Sequence, residues 1–239
     1  MPRQQFEIRY LFPNFVTALS IFVGVVAIIA AIKGQIHKAA WFIFLSLILD
    51  GLDGRIARWT NACSKFGVEF DSLADIVAFG VAPAVLFYTA AGWEFGRFGT
   101  MVAALYVVFG AIRLARFNVL APSSEPTYFL GLPIPTAAAF VAAWTLLYLE
   151  LSSPALKYLL LCGTLLVALL MVSNIRYPSF KKVSLQKRHA IRAVVAATIL
   201  LAVFYLYPPL VLALLVTGYI LLGIIRAVYY LSTRRVRSE

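Results

Sequence analysis

The stretch Asp50–Asp75, DGLDGRIARWTNACSKFGVEFDSLAD, holds five of the ten acidic residues in a chain of 239, four of them the aspartates Asp50, Asp53, Asp71 and Asp75, and long apolar runs flank it on both sides. On a helix, Asp50 and Asp53 stand three apart and Asp71 and Asp75 four apart, so each pair shares one helical face. Gly51, Gly54 and Gly67 lie among them, and Arg58 supplies a fixed positive charge. Carboxylates beside hydrocarbon are costly, and four gathered together repel one another. A pair of divalent cations relieves both costs.

The flanking runs decide the fold class. Of the whole chain, 62% is hydrophobic and only 13% charged. A soluble domain of this size cannot hide that much apolar surface in one core. A polytopic all-α membrane protein can, because lipid is its solvent. Eight spans are expected, at about Leu11–Ile32, Lys38–Arg58, Gly67–Ala90, Phe98–Phe117, Thr136–Leu149, Ala155–Val172, Ala190–Tyr207 and Pro209–Leu231. Pro13 and Asn14 open the first, where a missing amide proton does no harm. The fifth is short, and the turn-rich run APSSEPTYFLGLPIP before it is expected to dip into the protein. No repeat, low-complexity tract or linker divides the chain. One transmembrane catalytic domain, residues 1–239, is expected, with spans one to six (about 11–172) as its core and spans seven and eight (about 190–231) as a C-terminal extension.

The formal charge of +11 follows topology. With both termini and the Asp50–Asp75 connection in the cytoplasm, 17 basic residues fall on that side, against Lys33, Lys38, Arg97 and Lys157 outside. This accounts for the charge without nucleic acid, and it sets all four aspartates near the cytoplasmic face. The run Lys181, Lys182, Lys187, Arg188, Arg192 reads as a solvated or headgroup-facing surface. Cys63 and Cys162 form no disulfide framework, and His37 and His189 lie in loops on opposite faces. No cleavable signal peptide is read at the N-terminus.

A hairpin of spans two and three brings the carboxylates together. Their hard oxygens suit magnesium, manganese or calcium; without clustered Cys or His, zinc does not fit. Two such ions side by side commonly clamp a phosphoryl group during in-line displacement. Gly54 and Ala57 leave room for a nucleotide or diphosphate, Arg58 can pair with phosphate oxygens, and Asp75 can take a proton from an attacking hydroxyl. Two other readings stand beside phosphoryl transfer. One is a structural charge network with Arg55, Arg58 and Lys65; the other is an ion-coupled transporter.

Asp50, Asp53, Gly54, Ala57, Arg58, Gly67, Asp71 and Asp75, at this spacing, resemble the complete signature of the CDP-alcohol phosphotransferase family. The resemblance implies an integral membrane enzyme that moves a phosphatidyl-type group from a CDP-linked lipid to an alcohol and releases CMP. It implies metal ligation by Asp50, Asp53 and Asp71, with Asp75 shared between metal and general-base duty. On the nucleotide side it implies Asp50, Gly54, Arg58, Gly67 and Asp71, and PNFVT adds Asn14 and Thr17 near the diphosphate. The stretches EFDSLADIVAFGVAPA, RLARFNV, FLGLPIPTAA and NIRYPSFKK resemble the serine-accepting branch of that family, found in bacterial and archaeal membranes. That branch uses CDP-diacylglycerol, or an ether analogue, and L-serine. Homodimerisation is implied as well. Serine is a small zwitterion, which needs a cation for its carboxylate and polar groups for its ammonium. Arg113, Arg116, Asn118, Arg176 and Tyr177 are the candidates. The same chemistry on glycerol 3-phosphate or an inositol phosphate is the nearest alternative.

Overall fold

The structure, a computed structural model, describes residues 8–59, 64–120, 128–178, 198 and 201–235. Its helices are α1 (Ile8–Ile32), α2 (Ile36–Trp59), α3 (Lys65–Asp75), α4 (Ala82–Ala90), α5 (Gly96–Leu120), α6 (Ile134–Leu151), α7 (Pro154–Val172) and α8 (Pro208–Arg235). A π-helical segment, Ile76–Val81, joins α3 to α4, so that Lys65–Ala90 runs as one rod. Two three-residue strands, β1 (Tyr128–Leu130) and β2 (Arg176–Pro178), pair antiparallel, with Phe129 opposite Tyr177.

Among the described residues six helices are long and apolar enough to cross a membrane: Phe12–Ile32, Lys65–Ala90, Gly92–Val119, Ile134–Leu151, Pro154–Val172 and Pro208–Ala227. They coincide with six of the expected spans, and the protein is a multi-pass helical membrane protein. The other expected span with a described helix, α2, packs along the whole of α1 but carries Lys38, Asp50, Asp53, Arg55 and Arg58, which composition alone penalises. The seventh, Ala190–Tyr207, lies largely outside the described residues, although 201–206 are helical. The Lys181–Arg192 run, His189 and Cys63 also lie outside them.

Prolines punctuate the second half of the chain. Pro135, Pro154 and the Pro208–Pro209 pair sit at helix starts, where the missing amide proton costs nothing. The alanine-rich α6 is the central post, buried against α2, α4, α7 and α8. The short fifth span is therefore an interior helix, bounded two residues wider at each end than the apolar run suggested. Small residues permit the tight packing: Ala27, Ala31, Ala39, Ala40, Ala78 and Ala82 are all buried. At Gly24 a Cβ would stand 2.9 Å from Ala78 Cα, so α1 meets the π segment nearly backbone to backbone. Lys157 pairs with Glu94, tying the turn after α4 to the start of α7. At the opposite end, Arg116 donates to the Val172 carbonyl at 3.2 Å and to Asn174 Oδ1 at 3.0 Å, tying α5 to the exit of α7.

Candidate active site

The α2–α3 hairpin does what the spacing required. Asp50, Asp53 and Asp71 each offer a carboxylate oxygen, and these oxygens lie within 4.8 Å of one another. Asp75, one turn deeper in α3, interacts with both Asp50 and Asp71. It is only 9% exposed, and its Oδ1 is buried without a hydrogen-bond partner. Four carboxylates so close carry mutual repulsion that a cation removes. The donor set is purely hard oxygen, which fits a divalent metal of the magnesium, manganese or calcium kind.

Local chemistry sets the hairpin's geometry. Ser64 caps α3, its Oγ accepting from the Gly67 amide at 2.9 Å. The helix thus starts two residues before the expected Gly67, because the cap and not the apolar run defines its end. From α1, Thr17 Oγ1 donates to Asp53 Oδ2 at 2.7 Å and orients that carboxylate. Ser20 and Ser46 meet at 2.8 Å and lock α1 to α2 one turn further along α1 and two turns back along α2.

Beside the carboxylates lies a cavity of about 170 Å³, lined by Pro13, Asn14, Thr17, Asp53, Gly54, Arg58, Ser64, Gly67, Val68 and Asp71. Six of the seven residues expected on the CDP-lipid side line it; the seventh, Asp50, stands in the carboxylate cluster alongside. Gly54 leaves the Arg58 guanidinium free to lie along the helix, and Asn14 Oδ1 faces Gly67. The first turn of α3 opens on this cavity, and a helix N-terminus favours an anion.

The five acceptor-side candidates divide. Arg113 is 8% exposed, lies within electrostatic range of Asp75, and holds its guanidinium carbon 5.7 Å from the Phe117 ring centroid. Tyr177 is fully buried. Burial, with Tyr219 alongside, pushes its hydroxyl up to about 12, so it stays neutral in the physiological range. Arg116 is turned to the end of α7, as described above. Asn118 Nδ2 donates to Ser72 Oγ at 3.0 Å and to Glu69 Oε2 at 3.3 Å, bracing α5 against the outer side of α3. Of Arg176 the structure describes the backbone, paired with Leu130. Two contributors gave no signal in the sequence. Tyr106 donates to the Phe79 carbonyl of the π segment at 3.1 Å, and Tyr219 of α8 interacts with Arg113. Both sit in apolar stretches of their helices, where periodicity marks neither.

Carboxylates on a helical hairpin, beside an anion-ready cavity at the end of a transmembrane bundle, describe an enzyme acting on a membrane-borne phosphate ester. Residues 10–172 match the family model described as CDP-alcohol phosphatidyltransferase, and the chain belongs to that family. Curated relatives refine the placement. The chain is 48% identical over 225 residues to a CDP-diacylglycerol–serine O-phosphatidyltransferase of Helicobacter pylori, covering 92% of each. It is 39% identical over 170 residues to the Bacillus subtilis protein of that name, covering 71% of this chain and 91% of the relative. It is 37% identical over 170 residues to an archaetidylserine synthase of Methanothermobacter thermautotrophicus, covering 70% of this chain and 69% of the relative.

Proposed function

We propose that the protein transfers the phosphatidyl group of CDP-diacylglycerol to the hydroxyl of L-serine, giving phosphatidylserine and CMP. The observation that carries the chemistry is the convergence of Asp50, Asp53 and Asp71 beside the cavity rimmed by Arg58. The names of its relatives support serine as the acceptor.

Asp50, Asp53, Asp71 and Asp75 would hold two divalent ions, Mg2+, Mn2+ or Ca2+, which when bound supply positive charge to the diphosphate and to the departing CMP. Arg58 pairs with phosphate oxygens. Gly54 and Gly67 admit the nucleotide side, and Asn14 and Thr17 border it. Asp75 accepts the serine hydroxyl proton while the serine oxygen forms its bond to the lipid-side phosphorus. The bond from that phosphorus to the bridging oxygen breaks, and the electron pair leaves with CMP. Arg113 receives the serine carboxylate, with Tyr177 beside it. Arg116 and Asn118 act at one remove, by fixing the end of α5, and Arg176 lies on the strand that carries Tyr177.

The same reading includes eight spans, both termini in the cytoplasm, and a site facing the cytoplasm from the cell membrane. The 17-to-4 division of basic residues supports this. The extent of the family match supports residues 11–172 as the catalytic core. A homodimer is the expected assembly.

The deciding experiment measures CMP release by the purified protein in detergent with CDP-diacylglycerol, Mg2+ or Mn2+, and a panel of alcohols. Serine is expected to support turnover. A preference for glycerol 3-phosphate or an inositol phosphate would reassign the acceptor. Solute or ion flux in liposomes without CMP would replace the enzyme by a transporter.

A further inference from the structure

Arg113 lies at a junction that the aspartate signature does not describe. Its guanidinium lies within electrostatic range of the Asp75 carboxylate of α3 and of Tyr219 of α8. The Tyr219 ring packs against that of Tyr177, with centroids 5.8 Å apart and planes tilted by 32°. Four elements distant in sequence therefore converge here: α3, α5, β2 and the last helix.

Buried polar atoms are nearly always hydrogen-bonded, and the exceptions call for an explanation. Among the described residues, buried side-chain polar atoms without a partner include Asp75 Oδ1, Arg113 Nε and Tyr177 OH. All three belong to this one set of neighbours. Asp75, Arg113 and Tyr177 are 9%, 8% and 0% exposed, so bulk water does not serve them. A small ligand with both acidic and basic groups would satisfy such a set.

We propose that Asp75, Arg113, Tyr177 and Tyr219 form the acceptor pocket, and that Tyr219 of the last helix is its specificity-determining wall. The identity of the ligand rests on the serine reading above. Serine's carboxylate pairs with Arg113, and its hydroxyl lies toward Asp75. The Tyr219 hydroxyl and ring close the space beyond Arg113 against any acceptor bulkier than serine. Gly223, one turn further along α8, is what lets the wall stand: a Cβ there would overlap the Tyr177 ring. The last helix thus selects the alcohol, while α1, α2 and α3 handle the nucleotide.

The test uses the full-length protein in detergent, with L-serine and L-threonine as competing acceptors. Tyr219→Phe keeps the ring contact with Tyr177 and removes only the hydroxyl. It is expected to raise the serine KM roughly tenfold while the CDP-diacylglycerol KM stays within about twofold. Tyr219→Ala is expected to raise the ratio of threonine to serine turnover by about tenfold, the order that one methyl group commands in a fitted pocket. Parental serine KM and parental selectivity in both variants would overturn the proposal. So would an equal rise in KM for both substrates, which would make Tyr219 a packing residue only. If Tyr219→Ala does not fold, Tyr219→Phe decides alone. A parent protein that ignores serine but turns over another alcohol sinks the serine reading. The same two variants, read on that alcohol, still judge the wall.

Discussion

Thr17 shows how much one hydroxyl can matter at a site made of repelling charges. Its 2.7 Å hydrogen bond is the contact that aims Asp53 from outside the α2–α3 hairpin. Groups that orient a metal ligand typically change metal affinity by roughly 10–100-fold when removed. Thr17→Val is therefore expected to raise the Mg2+ or Mn2+ concentration for half-maximal activity by about that factor, with little change in melting temperature. A metal titration identical to the parent's would show that Asp53 is held by its helix alone. Asp75 differs in kind. Replacement by Asn keeps its size but removes its capacity to take a proton. Asp75→Asn is expected to bind CDP-diacylglycerol while turnover falls by roughly 10²–10⁴-fold. Normal turnover would remove the general-base role.

At the level of elements, the rod Lys65–Ala90 is notable for its break in register. The π segment begins immediately after Asp75, and such segments occur frequently at functional sites. It separates the part of the rod that presents carboxylates from the part that buries Ala82, Leu86 and Phe87 in the bundle. The close approach of Gly24 to Ala78 and the hydrogen bond from Tyr106 to the Phe79 carbonyl are among the contacts that hold it. Tyr106 is fully buried, so Tyr106→Phe leaves that carbonyl without this donor, at a cost of about 1–3 kcal/mol. The expected result is a melting temperature in detergent lowered by a few degrees, and a kcat reduced more than either KM. An unchanged melting curve would mean that the π segment is held by helix packing without Tyr106.

For the whole molecule, the two ends of the bundle are built differently. One end carries the Lys157–Glu94 pair; the other carries the aspartates, the β1–β2 ribbon and the Arg116 contacts. Among the described residues Arg55, Arg58, Lys65, Arg113, Arg116 and Arg226 lie toward the aspartate end, and Lys33, Lys38, Arg97 and Lys157 toward the other. Single-cysteine variants at Gln35 and Ser153, in a chain with Cys63 and Cys162 replaced, are expected to react with an impermeant maleimide in intact cells. A cysteine at Lys65 is expected to react only after permeabilisation. The reverse pattern would invert the orientation, and labelling of Gln35 and Ser153 from different sides would change the number of spans between them.

The aspartates were legible in the sequence because the chemistry is local. Two carboxylate pairs at spacings of three and four, on either side of a short connection, have one compact way to meet. The cavity residues followed for the same reason: Asn14, Thr17, Gly54, Arg58 and Gly67 all lie on the first three helices. Six of the spans were legible too, since hydrocarbon enforces long apolar runs, and caps such as Ser64 moved some of their ends. Tertiary structure alone decided where the acceptor-side candidates went. Arg113, Arg116 and Asn118 look equivalent along the chain, yet helical rotation and three different neighbours send them to Asp75, to the end of α7 and to α3. Tyr219 carries no local mark at all. It meets Tyr177 because Gly223 lets the last helix and β2 close together, and a contact between elements so far apart leaves no periodicity to read.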